Sequence, residues 1–199
     1  MLLHLLLRMA NNNHKLIIIT APSGAGKSSI TKYLLNKFPA LAFSVSAATR
    51  PARNNEVHGE HYYFMSVEEF QQKIKDDAFI EWEMVYGGRY YGTLKSEIYR
   101  IWEEGKTPVL DIDVQGAIHV QQQYKGKVLS IFIEPPSLQE LEKRLRTRAT
   151  ETPESIAVRL GKASYEISFR NQFNKIVVND VLEKACEETV QIIKEFLGE

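Results

Sequence analysis

The stretch LIIITAPSGAGKS, running from Leu16 to Ser28, decides the fold. Leu16 to Ile19 is apolar without alternation and runs on to Thr20, the pattern of a strand buried on both faces. Gly24 and Gly26 then mark a turn, and Ile30, Leu34, Leu35 and Phe38 recur at helical spacing until Pro39 ends the run. A strand, a glycine-containing loop and a helix that opens on Lys-Ser make a phosphate-binding loop of the Walker A type, with Ala21 where glycine is usual. Such a loop works because small residues let backbone N–H groups approach phosphate oxygens, and the helix N-terminus adds positive potential there. Ala21, Pro22, Ser23, Gly24, Ala25 and Gly26 would form the cradle. Lys27 would reach the β and γ phosphates of a nucleotide, and the Ser28 hydroxyl would ligate Mg2+.

Outward from this unit, Val109–Ile112, Val128–Ile133 and Lys175–Val178 read as further buried strands, each followed by a helical pattern. The alternation predicts an α/β fold with a three-layer core and a parallel sheet. The second strand ends in Asp111, a carboxylate placed to hold Mg2+ through water beside the loop. Residues 43–93 have a different texture, with short strands at Phe43–Ala47, His61–Met65, Phe79–Tyr86 and Tyr90-Tyr91 after Gly87-Gly88. They predict an inserted, mostly β lobe. Within it, Ser66-Val-Glu-Glu69 is a capping box opening a helix whose apolar face carries Phe70 and Ile74. From Arg144 to Arg170 the chain is basic and helical, broken at Thr150–Pro153, which predicts a helical hairpin acting as a lid over about residues 146–160.

Composition bounds the partners. With 199 residues, 25 basic and 25 acidic side chains and 44% hydrophobic residues, the chain is sized for one domain and has no net charge to attract nucleic acid or a membrane. Any anion site must come from local arginines. The lone Cys186 excludes an internal disulfide and fits a reducing cytoplasm; it shares a helical face with Leu182, Val190, Ile193 and Leu197 and reads as core. The opening MLLHLLLRM is too short to span a bilayer, so residues 1–14 read as a flexible N-terminal extension and residues 15–199 as the domain.

Phosphoryl transfer builds charge that fixed guanidinium groups stabilise. Arg50 and Arg53 lie in a loop behind Ser46 and Thr49, where no helix explains them. Arg148 and Arg159 flank the break in the basic hairpin, whereas Arg144 and Arg146 read as a solvated helix face. His58 and His61 lack a third ligand and read as surface or turn residues. Strand alternation sends the members of Tyr62-Tyr63 and Tyr90-Tyr91 to opposite faces, so one of each pair packs.

Taken in order, these motifs resemble those of the guanylate kinases, over residues 15 to about 198. The resemblance rests on APSGAGKS, Ser44-Val-Ser46 through Thr49-Arg50 to Arg53, Gly59-Glu-His-Tyr62, Phe79-Ile-Glu81-Trp82 and Tyr90-Tyr-Gly-Thr93. It continues through Leu110-Asp-Ile-Asp-Val-Gln-Gly116, Arg148 with Thr150-Glu-Thr, Arg159, and Val177-Val-Asn-Asp180. It implies transfer of the γ-phosphate of Mg-ATP to GMP in purine nucleotide metabolism, with no nucleic acid, membrane or obligatory protein partner. The core would be residues 15–42 and 94–199, and residues 43–93 would bind GMP. Ser46, Arg50, Arg53, Tyr62 and Tyr91 would hold its phosphate; Glu81, Thr93 and Asp113 would read guanine, with Asp111 nearby. Arg148 and Arg159 would act from the lid, and Asn179 would lie by the adenine of ATP. Ala47-Ala48 replaces a more polar pair, and Ala149 stands where the lid commonly has glycine.

Two other readings fit parts of the pattern. A P-loop kinase for another acceptor shares the core motifs, and an interaction module that has lost catalysis shares the lobe. Intact Lys27-Ser28 speaks against the second.

Overall fold

A computed structural model describes residues 14–85, 88–147 and 152–199. Strand β1 (Leu16–Thr20) sits at the centre of a five-stranded sheet whose order is β2 (Leu41–Phe43), β7 (Thr107–Asp111), β1, β8 (Val128–Glu134), β9 (Lys175–Val178). Every pairing in it is parallel. The uninterrupted apolar run of β1 has its cause here. Ile17 and Ile19 face one layer, with α1 (Lys27–Lys37) and the last helix α7 (Leu182–Leu197); Leu16 and Ile18 face the other, with α3 (Lys95–Glu103) and α4 (Val114–Gln123). All five residues of β1 are buried. Cys186 is 3% exposed in the first layer, as its helical spacing predicts.

The lobe is a second sheet, ordered β4 (Tyr63–Phe64), β3 (Ala47–Ala48), β6 (Arg89–Leu94), β5 (Phe79–Val85). Helix α2 (Val67–Lys75) covers it, capped by Ser66 Oγ, which accepts from Glu69 N at 3.1 Å, with Phe70 fully buried on its apolar face. Ala47 and Ala48 are themselves fully buried in β3, between β4 and β6. One strand reading needs correction. Phe43 belongs to β2 of the core sheet, and the chain reaches the lobe only at Ala47, because Ser44 N still donates to Val109 O of the core at 2.9 Å.

Helices α5 (Leu138–Thr147) and α6 (Pro153–Ile167) form the expected hairpin, joined by a small cluster of Leu141, Leu145, Ile156 and Ala163. Arg148, Ala149 and Thr150, Gly87, and residues 1–13 lie outside the described residues. Among the described residues no helix is long and apolar enough to cross a membrane.

Candidate active site

The C-terminal ends of β1 and β7, the lobe and α6 enclose a cleft of about 930 Å3. A parallel sheet places its binding crevice at this end of its strands. Gly26 caps α1 in the left-handed region at φ 97°, and a Cβ there would come within 2.1 Å of Asn179 Nδ2. That nitrogen donates to Ala25 O at 2.7 Å, so buried Asn179 braces the loop from below. Of the predicted cradle, Ala21, Pro22, Ser23, Gly24, Gly26, Lys27 and Ser28 line the cleft, while Ala25 is buried behind them. Asn179 does not line it.

Lys27 Nζ is paired with Asp111 Oδ1, and the Ser28 hydroxyl is exposed one residue further on. A hydroxyl and a carboxylate are hard oxygen donors suited to Mg2+, which takes few protein ligands when phosphates supply the rest. Arg159 of α6 reaches across to the loop, its Nη1 donating to Ser23 Oγ at 2.6 Å. Arg144 corrects a sequence expectation: it is not simply solvated. Its Nη1 donates to Asn179 O at 2.9 Å and its Nη2 to Asp180 O at 3.3 Å, tying α5 to the loop after β9. Arg146 pairs along its own helix, with Glu142 at 2.7 Å.

On the lobe side Ser46, Tyr62 and Tyr91 line the cleft, and the two tyrosine rings meet edge to face at 6.0 Å. Arg50 lies behind them. It is 8% exposed, its guanidinium stacks 4.8 Å from the Tyr62 ring, and it grips Glu56 through two bonds of 2.5 and 2.6 Å. That fork holds the Glu56 carboxyl down at about 2. Arg53 is exposed on a separate surface patch with Asn54, Asn55 and His61, and its backbone N–H donates to Glu56 at 2.8 Å. The structure therefore brings Arg50 to the back of the cleft and leaves Arg53 outside it. His58 and His61 each accept from a backbone N–H, of Phe64 and Val57, which is the turn role expected.

The far end of the cleft is acidic. Glu81 is 7% exposed and accepts from Thr93 Oγ1 at 2.6 Å. Asp113 caps α4 by accepting from Gly116 N at 2.7 Å. Gly116 makes room for both carboxylates, since a Cβ there would sit 2.9 Å from Glu81 Oε2 and 3.1 Å from Asp113 Oδ1. Burial, reinforced by the nearby Asp113, pushes Glu81 up to about 7 despite the bond from Thr93. Glu83 stands two residues along β5 on the same face and is pushed to about 8, first by its hydrogen bond with Asp113 and then by burial. Buried Glu166, 3.7 Å from Lys162, is raised by burial as well. Sequence reading missed Glu83, Lys162 and Glu166. Period-two spacing from Glu81 marks the first, and the spacing of Arg159, Lys162 and Glu166 marks one face of α6.

These features can be set beside known proteins. The family model described as guanylate kinase matches residues 13–196. A guanylate kinase of Bacteroides thetaiotaomicron is 49% identical over 92% of this chain and 90% of its own length. One of Porphyromonas gingivalis is 44% identical over 92% and 98%. The crystal structure of a guanylate kinase from Anaplasma phagocytophilum superposes with a TM-score of 0.72 at 29% identity, covering 91% of this chain and 85% of that one. A shikimate kinase structure from Bacteroides thetaiotaomicron, at 16% identity and a TM-score of 0.51, shares the fold alone. Loop, lobe, acidic pocket and relatives agree over the same span, and the chain belongs to the guanylate kinase family.

Proposed function

We propose that the chain transfers the γ-phosphate of Mg-ATP to GMP, giving ADP and GDP. The observation that carries this reading is the placement of Glu81 and Asp113 in one cleft with the phosphate-binding loop, with Thr93 buried behind Glu81 and donating to it. Guanine presents two adjacent donors, N1–H and the N2 amino group, and ionised carboxylates accept from both. Adenine has an unprotonated N1 at that edge, which would face a carboxylate lone pair and leave polar groups unpaired at about 1–3 kcal/mol each.

In this reading Tyr62, Tyr91, Ser46 and Arg50 hold the GMP phosphate, with Arg50 kept in orientation by Glu56. Arg53 joins them only if its exposed loop closes over the nucleotide. The loop amides and Lys27 hold the phosphates of ATP, Lys27 exchanging Asp111 for the β and γ oxygens. Ser28, with Asp111 through water, would hold Mg2+, which supplies charge neutralisation on the transferring group. An oxygen of the GMP phosphate attacks the γ-phosphorus in line as the bond to the β-phosphate oxygen breaks; GMP needs no protein nucleophile. Arg159 and Arg148 stabilise the charge that develops once the lid closes and water is excluded. Residues 47–93 are then the acceptor lobe and residues 146–160 the lid, and the single buried Cys186 fits work in the cytoplasm.

A coupled assay of ADP release with GMP, AMP, dTMP and no acceptor tests the reading. Turnover with GMP far above the others is expected. Equal rates, or release without acceptor, would overturn it.

A further inference from the structure

Glu97, in the first turn of α3, is 2% exposed and far too buried to be a surface charge. Its Oε1 accepts from Val45 N at 3.1 Å and Arg100 Nη2 at 2.8 Å, while its Oε2 accepts from Tyr63 OH at 2.9 Å and Arg100 Nε at 2.9 Å. All the acceptor capacity of the carboxylate is used. Burial by itself would raise its pKa, but the bonds from Arg100, Val45 and Tyr63 outweigh burial and keep it ionised.

The chain crosses between core and lobe twice. It leaves through Ser44–Ser46 after β2 and returns from β6 directly into α3. Glu97 lies in the first turn of the return helix, yet it holds the backbone of the outgoing crossing at Val45 and the side chain of Tyr63 in lobe strand β4. The sequence neighbours of those two residues, Ser46 and Tyr62, both line the cleft. An ion pair with one partner buried is weak support for stability, because desolvation offsets much of the attraction, but it specifies geometry. Hinges are a few residues at element ends, which is where this carboxylate sits.

We infer that Glu97 is a positioning residue that fixes the lobe against the core, acting through Val45 and Tyr63 on Ser46 and Tyr62. This rests on the reading of the lobe as the GMP site. Loss of the carboxylate leaves the buried Val45 N–H without its acceptor and lets β4 move relative to the loop, so GMP affinity suffers while the ATP cradle, built on β1 and α1, is untouched.

The test compares Glu97→Ala, Glu97→Gln and Tyr63→Phe in the full chain by calorimetry of GMP without ATP, by KM for each substrate and by thermal melting. Glu97→Ala should weaken GMP about ten-fold and change the KM for ATP less than about two-fold. Glutamine keeps an acceptor for Val45 and should recover part of the loss, and Tyr63→Phe should shift GMP affinity in the same direction by a smaller factor. A lower melting temperature with GMP affinity unchanged would reduce Glu97 to a fold element and overturn the inference, as would equal losses for GMP and ATP. Should the alanine variant not fold, Tyr63→Phe decides: unaltered GMP binding sinks the proposal. Failure of the GMP reading itself is separately visible, as absent GMP binding by the unaltered protein.

Discussion

The ammonium of Lys27 is paired with the carboxylate of Asp111, which sits beside Ile19 at the end of the neighbouring strand. The lysine is thus held at the mouth of the loop instead of swinging in solvent, and incoming phosphates must win it from one carboxylate. Lys27→Ala should lower kcat by orders of magnitude with the melting temperature nearly unchanged, since the pair is a fifth or more exposed on both sides. Lys27→Arg should not restore turnover, because a planar fork does not replace a compact ammonium. Steady-state kinetics with melting curves check both.

Glu81→Gln keeps the shape of the side chain but presents an NH2 where guanine needs an acceptor. The expected outcome is a fall in kcat/KM for GMP of about ten-fold or more, with ATP binding unchanged and AMP gaining relative to GMP. A GMP to AMP preference left where it was would remove Glu81 from the reading of guanine.

The pH dependence follows from Glu81 at about 7 in the folded protein against 4.5 ordinarily. Guanine's donors favour the ionised carboxylate, so GMP affinity should improve as pH rises through about 7, and binding near pH 6.5 should release protons, read by calorimetry in buffers of different ionisation heat. For stability the sign is opposite. A carboxyl raised on folding contributes stability that is complete below about 4.5 and lost as pH rises through about 7. Without nucleotide, Glu81→Gln should flatten that loss. Glu83, at about 8, extends the same trend to higher pH.

Arg159 of α6 reaches across the cleft to Ser23 of the phosphate-binding loop. Arg159→Ala should lower kcat by up to ~10³-fold and raise the KM for GMP far less. A pure KM effect would assign the arginine to substrate attraction alone. Arg148→Ala belongs in the same experiment and should follow the same split.

The core could be read from the sequence because its strands carry their burial in their composition: Leu16 to Ile19 is apolar on both faces since both faces are covered. The lobe was harder. Strands β3 and β4 have two residues each, too short for any period, and Phe43 looked like lobe because nothing in its own sequence shows that Ser44 bonds to Val109. At the site, Lys27 and Asp111 were named from the loop and strand motifs and Glu81 and Asp113 from the family resemblance, and all four line one cleft. Glu83 and Glu166 were missed because an acidic side chain in a strand or helix normally faces water, and only the fold aims these two at Asp113 and the cleft. Arg144 was misread for the related reason that its partners are backbone carbonyls, which leave no trace in sequence.

Strand β1 is oily on both sides, and that has a consequence for alignment. A one-residue slide against β7 would exchange isoleucines and leucine between the two layers with little change in apolar surface hidden from water, whereas a strand with one wet face would expose its whole hydrophobic set. The greasy interior therefore does little to choose among neighbouring alignments of β1. Anchors at its ends must choose, such as the bond from Leu16 N to Lys127 O at 2.8 Å and the bend into the loop at Ala21. Since one step along a strand is about 3.3 Å, these end anchors, more than the core itself, decide whether Lys27 arrives opposite Asp111 or a full residue out of reach.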